Sequence, residues 1–287
     1  MKYRFMEDSR SAYGVERMCR VLRISRSGYY DWRDREPSER ELRHQRLLPV
    51  IKRVFEVSRK TYGSPRIFDA LKAQGHRCGR HQVATLMRQN GITPKRRKKF
   101  KKTTDSNHNY PIAPNLVERV FAAELLNRLW TSDITYVWTS EGWLYLAVVL
   151  DVCSRRIVGW GMSHRLQEEL VVRAIKQALA QRQVAEGLIF HSDRGSQFAS
   201  DACQRLLDDN HIRPSMSRKG DCYDNAISES FFGTLKRELV YRDRFQTREE
   251  AKLKIFDYIE VFYNRQRIHS SIGYKSPVDF EKTKSLS

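Results

Sequence analysis

Three acidic residues sit where an acid is costly unless it does chemistry. Asp133 interrupts the strand-like run Trp130-Thr131-Ser132-Asp133-Ile134-Thr135-Tyr136, Asp193 ends the apolar run Ile189-Phe190-His191-Ser192, and Glu229 opens a helical stretch that continues to Lys236. Asp193 and Glu229 enclose 35 residues. Reaction at a phosphodiester needs the attacking oxygen deprotonated and the leaving oxygen neutralised, and two divalent ions about 3.5–4 Å apart do both. Hard Mg2+ takes oxygen ligands and keeps some of its waters, so a few carboxylates suffice. Without cations three gathered acids would repel one another. Each acid alone reads as a satisfied strand acid, a turn cap or a surface helix acid. Their joint occurrence predicts a site in which Asp133, Asp193 and Glu229 share one pair of Mg2+ ions. Phe232 and Lys236 follow Glu229 by three and seven residues on one helical face, which would bring the Lys236 ammonium to a phosphate held there.

The charge balance names the partner class. Lys and Arg number 53 against 34 Asp and Glu in 287 residues, a net +19, which is the electrostatic footprint of a polyanion binder. The five cysteines, Cys19, Cys78, Cys153, Cys203 and Cys222, show no paired spacing, which argues for a reducing compartment over a disulfide scaffold. No signal-peptide core and no apolar run of membrane-spanning length occurs, so the expectation is a soluble, cytoplasmic protein with no membrane partner.

The acids need elements to hold them. Leu129 to Trp138 and Trp143 to Leu150 are rich in β-branched and aromatic residues around Thr139-Ser140-Glu141-Gly142, and predict an antiparallel hairpin. Arg156 to Met162 returns as a third strand, and Gln167 to Gln181 has helical periodicity. A short strand at Leu188–His191, a helix through Cys203, Leu206 and Leu207, a strand near Ile212–Ser217 and the Glu229 helix complete the pattern. Three antiparallel strands followed by alternating helices and strands imply an α/β fold, a mixed five-stranded sheet with flanking helices. Asp133 and Asp193 become neighbours if the first and fourth strands pair in parallel.

The N-terminal third is helical and basic. Val15, Met18, Cys19 and Leu22 mark one helix and Ser25 caps a second, a small helix-turn-helix-like segment over 1–36. In 37–94, a Ser38/Glu41 capping box starts a helix expected to be kinked or split at Pro49. Ser64 then caps a helix with Pro65 at its first position, and a further helix after His76-Arg77-Cys78-Gly79 ends at Gly91, leaving Arg80 and Arg88 free to face solvent or a DNA groove. His76, Cys78 and His81 lack the fourth ligand a zinc site needs. Seven of the eight residues Lys95–Lys102 are basic, opening a linker over 95–115 whose Lys95, Arg96, Arg97, Lys98 and Lys99 are phosphate contacts in waiting. At the far end, 246–287 starts with a Thr247/Glu250 capping box and the stripe Ala251, Ile255, Tyr258 or Ile259, and Phe262. A basic tail comes next, in which Arg267 and His269 suit DNA contact and equally suit a solvated end.

At these residues the sequence resembles the retroviral-integrase-like DDE transposases of bacterial insertion sequences, the catalytic protein encoded by the second of two overlapping reading frames. The resemblance rests on Trp130 with Ser132-Asp133-Ile134-Thr135-Tyr136, on Leu150-Asp151-Val152-Cys153-Ser154-Arg155 with Trp160, and on His191-Ser192-Asp193-Arg194-Gly195-Ser196-Gln197-Phe198. It continues through Gly220-Asp221-Cys222-Tyr223-Asp224-Asn225-Ala226 and Tyr263-Asn264, Arg267, His269, Gly273-Tyr274 and Pro277. Thr61-Tyr62-Gly63-Ser64-Pro65-Arg66-Ile67 and Leu86-Met87-Arg88 extend it to the N-terminal third. The family implies an RNase H-like catalytic core, here 116–245, Mg2+ or Mn2+, and cleavage at element ends followed by strand transfer of the 3'-hydroxyl. It gives Asp133, Asp193 and Glu229 the metal-binding roles and Lys236 a DNA-contacting role, with Arg194 and Asn225 as further DNA-binding candidates in the same motifs. Implied partners are double-stranded DNA, a homo-oligomer on it, and an upstream-frame helix-turn-helix protein made as a fusion. Two other readings fit the residues: a nuclease of this fold that only hydrolyses, and a non-catalytic DNA-binding regulator.

Overall fold

Alternating apolar residues from Leu129 onward build the sheet that positions the acids. In the computed structural model, which describes residues 2–94, 111–117, 123–218 and 226–285, β1 (Leu129–Thr139) pairs antiparallel with β2 (Gly142–Asp151), and β2 with β3 (Ile157–Ser163). β4 (Ile189–Ser192) lies parallel to β1 on its other side and β5 (Arg213–Met216) parallel to β4, giving the order β3-β2-β1-β4-β5. This is the mixed five-stranded sheet the pattern predicts. The parallel neighbours are reached through α7 (Glu168–Gln181), then through α8 (Ser196–Ala199) and α9 (Asp201–Asp209).

The period of two sorts the strands between two cores. Leu129 and Val137 of β1, with Leu144, Leu146, Val148 and Leu150 of β2, join a core shared with α10 (Ala226–Leu235) and α11 (Arg248–Phe256). Trp130, Ala147 and Val149 join the opposite core with α7, α8 and α9. On that face α7 is seated directly against the β3 backbone. A Cβ on Gly159 would collide with the Ala174 carbonyl oxygen, and one on Gly161 would lie 2.5 Å from that of Leu170.

No core boundary falls at residue 246. Ala251, Ile255, Tyr258, Ile259, Phe262 and Tyr263 belong to the same core as β1 and β2, so the C-terminal helix expected as a separate segment covers one face of the sheet. Tyr258 and Ile259, which a single α-helical stripe would make alternatives, are both buried, because Asp257–Tyr263 is a π-helical turn that widens the buried face. The tail is tied down as well. Asn264 brackets Ile157, accepting from its N–H at 3.0 Å and donating to its carbonyl at 2.9 Å. Beyond it, α12 (Pro277–Ser285) pins Glu281 between Arg156 at 2.6 Å and Arg182 at 2.5 Å.

Contacts divide the chain into two compact units, Met1–Arg53 and Val54–Ser287. The first contains α1 (Lys2–Asp8), which the sequence pattern does not announce, α2 (Val15–Leu22) and α3 (Arg26–Asp34) around Met6, Met18, Cys19 and Tyr29. Ser25 caps α3 as expected, accepting from Gly28 N–H at 3.0 Å. Helix α4 (Glu39–Val57) runs on through Pro49 without dividing. At α5 (Ser64–Ala73) the cap shifts by one: Gly63 takes the extended N-cap conformation, and Ser64 is already helical, with Pro65 still in the first turn. Helix α6 is Arg80–Gln89.

Candidate active site

Strand register brings the first two acids together. β1 and β4 are in register from Leu129↔Ile189 to Thr131↔His191; β4 ends at Ser192, so Asp193 directly follows the paired stretch, and its charge acts on Asp133 two residues past Thr131. Both are at odd positions. Asp133 is opposite Val148, and Val148 belongs to the α10 core, so the Asp133 carboxylate projects toward α10. Each acid is steadied by a neighbouring backbone N–H: Ile134 donates to Asp133 Oδ1 at 2.7 Å, and Gly195 to Asp193 Oδ1 at 3.0 Å in the turn that ends β4.

Helix α10 brings the third acid to the same face. The fully buried Ser228 hydroxyl donates to Thr131 Oγ1 at 2.9 Å, locking the helix to β1 one residue before Glu229 and two residues before Asp133. Glu229 itself is exposed. Phe231, Phe232 and Leu235 bury the other flank of α10 and fix its rotation.

The electrostatics record how close these groups are. Burial, then Asp193 and more weakly Glu229, push the Asp133 carboxyl well above the usual carboxylate range, while the Ile134 N–H and Lys236 pull it back. Lys236 feels the reverse: burial lowers its ammonium and Asp133 raises it. Its Nζ also lies 5.5 Å from the Tyr136 ring centroid. Thus Asp133, Asp193, Glu229 and Lys236 share one field on one face of the sheet. Among the described residues no three His, Cys, Asp or Glu side chains stand close enough to form a ready-made metal cage.

The other sequence candidates divide. Arg80 and Arg88 are exposed on α6. Arg194 is partly buried and its Nε donates to the Ser217 carbonyl at 2.7 Å, so it joins the ends of β4 and β5. Asn225 and Lys95, Arg96, Arg97, Lys98 and Lys99 lie outside the described residues. Arg267 and His269 are corrections. Arg267 is 2% exposed, and its guanidinium forms a two-pronged ion pair with Glu238, at 2.9 Å from Nε and 2.9 Å from Nη2. His269 stacks edge-on against Tyr263 with ring centroids 4.8 Å apart; burial and the Arg267 charge push it down to about 2, so it is neutral and attracts no phosphate.

Sequence reasoning overlooked Glu238. It lies two residues beyond Lys236 in a π-helical turn, Lys236–Val240, and is 7% exposed. Only an acid just after a lysine signals it, and its partners are remote in sequence.

Models of known families match the chain in three stretches: an integrase core domain over residues 124–222, another integrase core domain model over 229–286, and an HTH-like domain over 42–100. The chain is 42% identical over 283 residues to the transposase InsF for insertion sequence IS3A of Escherichia coli (strain K12), covering 98% of each chain. It is 45% identical to the insertion element IS600 uncharacterized 31 kDa protein of Shigella sonnei, covering 92% of this chain and 97% of that one. Among solved structures, the HTLV-2 integrase catalytic core domain in complex with magnesium aligns with a TM-score of 0.43 at 17% identity, covering 55% of this chain and 99% of that one.

Proposed function

The chain belongs to the transposases of bacterial insertion sequences, DNA-acting polynucleotidyl transferases with an integrase core, and from that premise we propose that Asp133, Asp193 and Glu229 are its catalytic carboxylates. The observation that supports this reading is the meeting of the acid-bearing elements: β1 and β4 pair in parallel just before Asp133 and Asp193, and the Ser228–Thr131 hydrogen bond holds α10 to the same stretch of β1 next to Glu229. Such a trio of oxygen donors fits a pair of hard divalent cations, Mg2+ or Mn2+, whose charge would relieve the repulsion. When bound, such ions supply charge neutralisation at the attacking and leaving oxygens of a phosphodiester.

The residues divide the remaining work. Asp133 on β1 and Asp193 in the turn after β4, each held by an adjacent backbone N–H, give the rigid half of the ligand set. Glu229, on α10, gives the half supplied by the helix. Lys236 orients a phosphate at the edge of the site. Attack first by water at an element end and then by the released 3'-hydroxyl on target DNA uses the same groups, and needs no covalent protein intermediate. Arg80 and Arg88 on α6, with Lys95 to Lys99, serve as DNA contacts of the helical module. Paired cleavage of two ends calls for an oligomer on DNA, and an upstream-frame helix-turn-helix protein would add to end recognition.

The test is metal-dependent cleavage of DNA carrying the element ends. Asp193→Asn should retain DNA binding and lose at least about 100-fold in cleavage rate. Cleavage by that variant at the wild-type rate would sink the assignment, and normal cleavage of uncut ends with no strand transfer from pre-cleaved ends would favour the hydrolytic reading.

A further inference from the structure

The π-helical turn Lys236–Val240 faces two ways. Lys236 turns toward Asp133 and Tyr136, while Glu238 turns into a buried cluster. There its Oε2 accepts from the Tyr258 hydroxyl at 2.8 Å and from Arg267 Nε at 2.9 Å, and Oε1 accepts from Arg267 Nη2 at 2.9 Å. A second guanidinium approaches the same carboxylate: Arg66 Nη1 is 3.9 Å from Glu238 Oε1.

Arg66 comes from the helical module, in the first turn of α5. The segment before it is bonded to the same part of the catalytic unit. The Tyr62 hydroxyl accepts from Ile268 N–H at 2.8 Å and donates to the Gln266 carbonyl at 3.3 Å. Arg242, just past the π-helical turn, donates to the carbonyls of Arg59 at 2.7 Å and Lys60 at 3.0 Å, and Arg59 pairs with Asp257 at 2.6 Å. The Thr61–Ile67 motif is therefore an attachment that grips the Lys236 turn from behind.

The two arginines hold Glu238 differently. Arg267 is enclosed and two-pronged, which makes it the fixed arm. Arg66 is longer in reach and its side chain is 26% exposed, which makes it the arm that can adjust when α5 and α6 are loaded by DNA. We propose that Arg66 is a positioning residue for the catalytic site: through Glu238 it sets the π-helical turn that aims the Lys236 ammonium at Asp133, so that the placement of that ammonium depends on the seating of the helical module on DNA. The proposal rests on the catalytic reading above, but it concerns a contact on the far side of the turn.

The experiment compares full-length wild type, Arg66→Met and Arg66→Lys in binding and in single-turnover cleavage of end DNA at saturating protein with Mg2+. Arg66→Met should bind end DNA within about twofold of wild type and cleave about 3- to 30-fold more slowly, the range for a coupling residue remote from the ligand. Arg66→Lys, which restores the charge, should recover most of the rate. Arg66→Met combined with Glu238→Gln should be no slower than the slower single variant, since both act through one contact. Because Glu238→Gln leaves Arg267 buried without its partner charge, the two variants at the partly exposed Arg66 decide the matter if it fails to fold. Weaker DNA binding with an unchanged saturated rate would make Arg66 a phosphate contact and overturn the proposal, as would an unchanged rate and affinity. Loss of the proposed catalytic acids' role would instead appear as Asp193→Asn cleaving normally, a result independent of Arg66.

Discussion

Two carboxylate centres lie on either side of one helical turn, and they are built on opposite principles. At Glu238 every oxygen is met: Arg267 straddles it, Tyr258 donates, and Arg66 stands behind. Burial opposes the Arg267 charge, yet Glu238 outweighs that cost and holds the guanidinium above its ordinary value. At Asp133 the neighbours are two more acids and a single lysine, and the carboxyl is pushed up. A buried acid with matched partners is a structural joint, whereas one surrounded by its own kind is paid for by what it will bind.

The largest expected effect is at the matched centre. Arg267→Ala, which strands Glu238 in the core, should cost about 3–5 kcal/mol in chemical denaturation. A loss under about 1 kcal/mol, the worth of one ordinary hydrogen bond, would mean that the ion pair is not what holds the turn. Next comes the unmatched centre's appetite for cations. Mg2+ at about 100 times its dissociation constant should stabilise the wild type by roughly 2.7 kcal/mol, seen as a rise in melting temperature, and Asp133→Asn should abolish most of that rise.

Without metal the same substitution should do the opposite of damage. The folded Asp133 carboxyl is raised, so its contribution to stability is complete at acid pH, below its unfolded value, and disappears as pH rises through the folded one. Asp133→Asn removes that loss while keeping an oxygen for the Ile134 N–H, and should raise the melting temperature at about pH 8 by about 2–4 °C, the shift that roughly 1 kcal/mol gives in a chain of this size. The gain should vanish in acid. A uniform gain across pH would point to packing in place of repulsion. Smaller still, Tyr258→Phe should cost about 1 kcal/mol, the worth of its hydrogen bond to Glu238. The most delicate check is His269: lowered to about 2, it should show no imidazole titration by NMR between about pH 5 and 8, where an ordinary histidine changes charge.

The contrast also explains what could be read in advance. The hairpin, the mixed sheet and the shared face of Asp133 and Asp193 come from local alternation, which is written along the chain. Arg267 and His269 looked like a basic tail because their partners are elsewhere: Glu238 is 29 residues from Arg267 in sequence, and no periodicity joins them. Likewise Glu281 finds Arg156 and Arg182 across 125 and 99 residues, a pairing that no local pattern announces. The α5 cap stands one position before Ser64 because Gly63, which has no side chain to cap with, adopts the N-cap backbone. Apolar patterning is legible when it is local; charge pairing over long separations is legible only in three dimensions.

The π-helical turn at Lys236–Val240 has a consequence for how this protein tolerates changes in length. Such a turn is an α-helix carrying surplus backbone, and each residue removed from a helix rotates the C-terminal remainder by about 100°. A single deletion between Glu229 and Lys236 would swing the lysine off the acid-bearing face, whereas one just after Glu238 would leave both residues in place and be absorbed by the loosened coil. Variation in chain length through this region should therefore collect on the C-terminal side of Glu238, with the stretch from Glu229 to Glu238 keeping a constant count.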